Sequence, residues 1–246
     1  MDFSAERKNL PEPPQHALMD QLVIANGELP VGDQHLSGRA ARVGQTPFHA
    51  YNGSLLRTRV GEVHTALLLS IELHHAMEAN PTPAVVALLA GLVEGIGVAL
   101  AGELKVALDC GADPAEISFA GLGKHDPELR QAVASGVLVN VELMRELPVL
   151  AGASQALGLP ADVAVRLSPD FELMSSGMKM GGGPKQFDVD VKVVPGMLDV
   201  VVREGSAFEG FQLLPACRTC GRSRSAKRSR SAACWRCACP SKRDPQ

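Results

Sequence analysis

Aromatic residues are scarce in this sequence. They make up 4% of its 246 residues, with a single Trp and a single Tyr. Ala, Val, Leu and Gly dominate instead, and small apolar side chains of this kind are typical of α/β proteins with closely packed helices and strands. Hydrophobic residues amount to 46% of the chain, which is enough for one sizeable core.

Long hydrophobic runs are also missing. No apolar stretch approaches the roughly 20 residues that cross a bilayer. The first residues, MDFSAERKNLPEPP, are charged and rich in proline, which excludes an ordinary secretory signal. We therefore expect a cytoplasmic protein that has no membrane partner.

Cysteine and basic charge are concentrated at one end of the chain. Residues 217–246 hold nine of the 24 Lys and Arg residues but one of the 27 Asp and Glu residues. Cys110 stands alone in the body, where we expect a small apolar filler. An acidic body with a strongly basic tail indicates either a nucleic-acid-binding appendage or a tail of different origin.

Strand and helix patterns alternate along the body. Strands are expected over 47–52, 71–77, 95–100, 117–121, 137–142, 162–169 and 208–214, and helices over 54–68, 82–94, 102–110, 126–136, 143–157 and 191–203. In the fourth of these helices, Asp126 is the expected N-cap and Pro127 the first helical residue. Alternation at about 20–25 residues per unit predicts parallel strands joined by helical crossovers.

Two architectures accommodate such units: an open doubly wound sheet and a (β/α)8 barrel. No Gly-x-Gly-x-x-Gly follows the first strand, and polar or glycine residues follow several different strands, which favours a barrel. About six units are too few to close it, so we expect an incomplete (β/α)8 TIM barrel. The expected domains are an irregular segment over 1–45, the partial barrel over 46–214 and a tail over 215–246.

Three segments resemble the pyridoxal-phosphate-dependent ornithine, diaminopimelate and arginine decarboxylases. They are LHHAMEANPTPAVV (73–86), VALAGELKVALDCGADPAEISFAGLGKHDPELR (98–130) and VAVRLSPDFELMSSGMKMGGGPKQF (163–187). The last is most similar to a diaminopimelate-decarboxylase-like subgroup associated with exosortase systems. The resemblance implies an alanine-racemase-like barrel followed by a β domain, a homodimer and a small amino-acid substrate. It also implies pyridoxal phosphate, held as a Schiff base by a lysine after the first barrel strand.

The resemblance places Glu78 at the position of that lysine. A carboxylate cannot form an imine with an aldehyde. Gln212 stands where the family has a histidine that stacks on the cofactor ring, and Gly97 and Leu100 stand where it has Asp and Ser. Arg166 is retained, either to line the cofactor pocket or to form a strand-end ion pair. We therefore expect an inactive remnant of a decarboxylase; an active decarboxylase that uses an unrecognised lysine is the alternative.

The resemblance stops after Leu214. Cys217-x2-Cys220 and Cys234-x2-Cys237 are separated by 13 residues, close to the spacing of a zinc ribbon. With the Arg/Ser-rich run between them, they allow a zinc-dependent nucleic-acid-binding protein as a further alternative. Out-of-frame translation of GC-rich DNA gives the same composition. We favour that origin, with a disordered tail, no metal site and no nucleic-acid partner.

Overall fold

The computed structural model describes residues 24, 27–168, 178–179, 189–213 and 216–217. The chain divides into two units, residues 1–55 and 56–246. The first unit contains an antiparallel pair, β1 (Pro30–Val31) and β2 (Gln34–His35), and helix α1 (Leu36–Val43). The prediction of an irregular segment over 1–45 missed this hairpin and helix, and residues 1–23, 25 and 26 lie outside the described part.

The strand expected over 47–52 does not form. Residues 47–52 have irregular backbone. Pro47 has no N–H group to donate to a neighbouring strand, so a local apolar pattern could not make a ladder there. The chain instead enters helix α2 (Gly53–Ala66), and the Asn52 carboxamide accepts the Ser54 N–H at 2.9 Å in the turn before it. The prediction of a strand was wrong, and that of the following helix was right.

The second unit continues the alternation of strands and helices. Its elements are β3 (His74–Ala76), α3 (Pro83–Ala90), β4 (Gly95–Val98), α4 (Ala101–Asp109), β5 (Ile117–Phe119), α5 (Asp126–Ser135), β6 (Leu138–Val141), α6 (Glu146–Leu157), β7 (Asp162–Ser168), β8 (Met178–Lys179), β9 (Val189–Asp190), α7 (Val194–Arg203), β10 (Ala207–Leu213) and β11 (Ala216–Cys217). Within the described residues, no helix is long and apolar enough to cross a membrane.

Six parallel strands form the central sheet in the order β3-β4-β5-β6-β7-β10, and β9 pairs with the end of β7. Neighbours in the sheet follow one another along the chain without a reversal of order. Right-handed crossovers then place all helices on the same face, as in a barrel and unlike a doubly wound sheet. The prediction of a partial α/β barrel is confirmed. The expected disorder of the tail concerns residues outside the described part, apart from β11.

The two faces of this sheet differ in chemistry. Side chains alternate along each strand, and one set packs under the helices. That core contains Ile96, Val98, Ile117, Phe119, Val139, Val141, Val163 and Val165, with apolar residues of α3 to α7. The other face, called here the inner face, carries small and polar residues: Gly97, Ser118, Asn140, Ala164 and Arg166.

The start of α5 differs from the prediction by one residue. Asp126 is already helical, and His125 is the N-cap. The carboxylate of Glu128 accepts the His125 N–H at 2.9 Å and the Ala101 N–H at 3.2 Å. Glu128, the third helical residue, thus makes the contact of a capping box in which its side chain accepts the N–H of the N-cap residue. The same carboxylate ties the beginnings of α4 and α5 together.

Helix α2 is joined to the sheet through Glu94, the residue before β4. The Glu94 carboxylate accepts the Leu73 N–H at 2.8 Å and lies 3.2 Å from Nε2 of His64 on α2. The bond from the Leu73 N–H, followed by the interaction with His64, lowers the pKa of Glu94 because both favour the charged carboxylate.

The packing of α4 predicts a contrast between two leucines. Leu104 is fully buried in the core, whereas Leu157 at the end of α6 is 47% exposed. We expect Leu104→Ala to lower the free energy of unfolding by about 2–5 kcal/mol, because it removes apolar contacts and leaves a cavity. Leu157→Ala, the matched control, should cost less than about 1 kcal/mol. Urea unfolding followed by circular dichroism measures both, and equal losses would show that α4 does not pack as described.

Candidate functional site

The candidate site lies at the carboxyl ends of the sheet strands, where barrels carry their functional residues. Glu78 follows β3 directly, in a single 3-10 turn over Met77–Ala79. Met77 is fully buried and anchors this turn, while Glu78 is exposed. The turn ends at Asn80, whose side chain accepts the Thr82 N–H at 3.2 Å just before α3. The structure thus places Glu78 at a strand end, and its correspondence to the Schiff-base lysine stays a prediction.

Arg166 projects from β7 on the inner face and is 8% exposed. Its Nη1 donates to Oε1 of Glu142 at 3.0 Å, and the Glu142 side chain is fully buried. Glu142 follows the last residue of β6, so in the parallel register it lies beside Arg166. The structure shows the expected strand-end ion pair of Arg166, and its role in lining a cofactor pocket stays a prediction.

Gln212 lies beside Arg166 on the other side, since the register pairs these two residues between β10 and β7. The structure thus brings Glu142, Arg166 and Gln212 into one row at the carboxyl ends of three adjacent strands. Within the described residues, Oε1 of Gln212 and Oε2 of Glu142 are buried without a hydrogen-bond partner. Glu78 follows β3, the strand at the other end of the strand order.

A second buried ion pair supports this row. Nζ of Lys124 lies 3.2 Å from Oε1 of Glu146, and both side chains are fully buried. The ammonium group also donates to the carbonyl oxygens of Gly121 at 2.6 Å and Asn140 at 2.9 Å. Lys124 therefore holds the loop after β5 against β6, with its charge balanced by Glu146 at the start of α6.

The two ion pairs are linked through backbone groups. The Gly121 N–H donates to Oε1 of Glu142 at 2.7 Å, and the Glu142 N–H donates to Oε2 of Glu146 at 2.9 Å. Sequence reasoning did not select Lys124, Glu142 or Glu146. The available signal was a charged residue directly after an apolar strand, as in VNVE over 139–142, where burial is expected at a barrel's inner face.

The remaining predicted residues are a lysine of α4 and the cysteines of the tail. Lys105, the lysine closest in sequence to the Schiff-base position, is exposed on α4 and pairs with Asp109 at 2.5 Å. The backbone of Cys217 lies in β11, which pairs with β8. The side chain of Cys217 lies outside the described residues, as do Cys220, Cys234 and Cys237, so the alternative zinc site stays a prediction.

Comparison with known proteins settles the family. Residues 54–207 match the family described as pyridoxal-dependent decarboxylase, pyridoxal binding domain. The chain belongs to this decarboxylase family. The match runs from α2 to the first residue of β10, so Glu78, Glu142 and Arg166 lie within the matched domain, whereas Gln212 lies after it.

Relatives in this family are similar over part of their length. The diaminopimelate decarboxylase of Aquifex aeolicus is 32% identical over 177 residues, which are 70% of this chain and 41% of that protein. The L-glutamyl-[BtrI acyl-carrier protein] decarboxylase of Niallia circulans is 31% identical over 158 residues, or 64% and 37% of the two chains. The chain thus spans about two fifths of the length of these relatives.

Solved structures show the same fold. The structure of AQ1208 from Aquifex aeolicus matches with a TM-score of 0.71 at 27% identity, over 85% of this chain and 50% of that one. The diaminopimelate decarboxylase of M. jannaschii, solved in co-complex with L-lysine, gives a TM-score of 0.73 at 20% identity, over 87% and 52% of the two chains. The latter supports the fold alone.

The buried pair predicts a large effect of a single substitution. Lys124→Met retains most of the side-chain volume but leaves the Glu146 carboxylate buried without its cation. We expect a loss of about 3–5 kcal/mol in the free energy of unfolding. Lys105→Met breaks the exposed pair with Asp109 and should cost less than about 1 kcal/mol. Urea unfolding of both variants tests the contrast; similar small losses would mean that the Lys124 pair is not buried.

Proposed function

We propose that this chain is a member of the decarboxylase family that does not hold pyridoxal phosphate covalently and does not catalyse decarboxylation. The observation that carries the proposal is Glu78, an exposed carboxylate directly after β3. The family resemblance places the Schiff-base lysine at this position. The proposed functional region is the partial barrel over residues 46–214.

Covalent attachment of pyridoxal phosphate requires a lysine amine that can react with the aldehyde of the cofactor. When bound, the cofactor would supply an acceptor for the electron pair left by a departing carboxylate. The structure describes the side chains of three lysines, Lys105, Lys124 and Lys192. Lys124 is buried and holds two carbonyl oxygens and Glu146, so its ammonium group is engaged. Lys105 is paired on the surface of α4, and Lys192 is exposed after β9. None of these three lysines follows β3, where the resemblance places the attachment residue, so they do not fit that role.

Residues on the inner face support the same proposal. Gln212, in place of the ring-stacking histidine, offers an amide without an aromatic face. Arg166 donates to Glu142, so part of its guanidinium group is already engaged inside the protein. Leu100, in place of a serine, is 59% exposed at the end of β4 and supplies no hydroxyl group. The carboxyl ends of the strands therefore retain polar side chains that hold the structure, but they lack groups that the resemblance assigns to the cofactor.

The names of the relatives indicate the class of substrate on which an ancestor of this chain acted. They include diaminopimelate decarboxylases and a decarboxylase of an L-glutamyl group on a carrier protein. We infer an ancestral substrate that was a small amino acid or its carrier-bound form, and an ancestral homodimer.

The first test of the proposal is trapping with borohydride. The full chain is incubated with pyridoxal phosphate, reduced and digested, and the modified lysines are mapped by mass spectrometry. We expect only the slow, scattered labelling that exposed lysines give. The Glu78→Lys variant should acquire a specific adduct at position 78, and Glu78→Gln is the matched control without an amine. A specific adduct on Lys124 or Lys192 of the unaltered chain would overturn the proposal.

The second test asks whether the amine alone restores activity. We expect Glu78→Lys to release no more labelled carbon dioxide from diaminopimelate, ornithine, lysine or arginine than free pyridoxal phosphate does. Gln212, Gly97 and Leu100 would still differ from the family pattern, and groups that act as one catalytic unit are strongly non-additive. Turnover clearly above that background by Glu78→Lys would show that these positions are not required. Turnover by the unaltered chain would refute the proposed loss of function.

A further inference from the structure

A group of metal-ligating side chains lies at the opposite end of the sheet from the candidate site. Glu72, His74 and Glu116 each offer one ligand atom, and these three atoms lie within 4.8 Å of one another. Glu72 comes just before β3, His74 begins that strand, and Glu116 immediately precedes β5. The group therefore sits at the amino ends of the first and third strands of the sheet.

The strand register explains how these residues meet. His74 pairs with Gly95, and Ile96 pairs with Ile117, so Gly95 and Glu116 also stand side by side. His74, Gly95 and Glu116 thus form one row across β3, β4 and β5. Strands two apart are separated by about 9–10 Å, so their side chains meet only if the middle residue leaves room. Glu72 is two residues before His74 and lies on the same face.

Gly95 leaves that room. An ideal Cβ placed on Gly95 would lie 2.2 Å from Cε1 and 2.4 Å from Nδ1 of the His74 ring, both far inside van der Waals contact. The same Cβ would lie 2.6 Å from the carbonyl oxygen of Glu116. The imidazole therefore occupies the space of a missing side chain in the middle strand. This placement directs a nitrogen ligand from β3 towards the carboxylate that precedes β5.

We propose that Glu72, His74 and Glu116 bind a divalent transition-metal ion. Two carboxylates and one imidazole form a nitrogen and oxygen ligand set of the kind that Zn²⁺, Co²⁺ and Mn²⁺ accept. Glu72 and His74 are exposed and Glu116 is half-buried, so water completes the coordination and the ion enters from solvent.

The bound ion would stabilise one edge of the sheet. β3 is the edge strand of the sheet within the described residues, and it is three residues long. A metal ion bound by residues of β3 and of the segment before β5 fastens this edge across β4. The neighbouring Glu94 carboxylate, which accepts the Leu73 N–H and lies beside His64, is not part of the proposed ligand set. The inference is independent of the proposed loss of catalysis.

The test is a titration of the full chain with Co²⁺ alone, followed by visible absorption. Cobalt bound to nitrogen and oxygen ligands gives weak d–d bands, whereas cobalt on the cysteines of the tail adds intense thiolate charge-transfer bands, so the two sites are read separately. We expect His74→Ala and Glu116→Gln to weaken the d–d site by more than about tenfold, since even losing an outer-shell partner commonly costs 10- to 100-fold. His49→Ala, an exposed histidine of the other unit, is the matched control and should bind as the unaltered chain does.

Two further measurements guard against an indirect effect. Co²⁺ should raise the melting temperature of the unaltered chain but not that of Glu116→Gln, a variant of nearly the same shape. Gly95→Ala retains all three ligands but places a methyl group where the imidazole lies, so it should also lose the d–d site. Thiolate bands alone, or d–d bands unchanged in both His74→Ala and Glu116→Gln, would overturn the proposal.

Discussion

The buried charges at the carboxyl ends of β5, β6 and β7 constrain the rest of this half of the molecule. Lys124 and Arg166 are balanced by Glu146 and Glu142, so the four buried side chains carry no net charge. A buried charge that loses its partner is costly, typically by several kcal/mol, so each pair has to form for its own charges to be tolerated. Their links through the Gly121 N–H and the Glu142 N–H also fix the loop after β5 and the start of α6.

The groups that stabilise this part of the barrel differ from the groups that the family's chemistry requires. The members of this network of buried charges hydrogen-bond to protein groups, so the carboxyl ends of β5 to β7 are held without a contribution from a cofactor. Two of the departures that the resemblance assigns lie away from this network: Glu78 follows β3 and Leu100 follows β4, where neither side chain supports the core. A third, Gln212, lies on β10 beside Arg166. A chain that loses the amine at position 78 therefore loses a reactive group while its packing is retained. The proposed loss of activity and the preserved fold are compatible for this reason.

Much of the fold could be predicted from the sequence, because apolar periodicity and the spacing of turns are local signals. The crossovers, and hence the consecutive parallel strands, follow from them. The predicted N-cap of α5 was wrong by one residue, because an Asp before Pro is typical both of an N-cap and of the first turn, where the structure places Asp126. The Lys124–Glu146 pair was missed because a single charged residue is normally predicted to be exposed to solvent. Its burial could be predicted only if its partner, 22 residues away, were known to lie beside it. Strand register could not be predicted from the sequence either, so the row formed by Glu142, Arg166 and Gln212 could not be predicted.

The two glycines of β4 differ in whether the neighbouring strands leave room for a side chain at their positions. A Cβ on Gly97 would make an ordinary contact of 3.7 Å with Cα of Ala76, so packing permits a larger residue there. If the resemblance places an aspartate at this position, its absence removes a charge from the candidate site without a steric reason. A Cβ on Gly95 would collide with the His74 ring, so glycine is required for the present arrangement. Packing therefore requires a glycine only at the amino end of β4, where His74 and Glu116 meet.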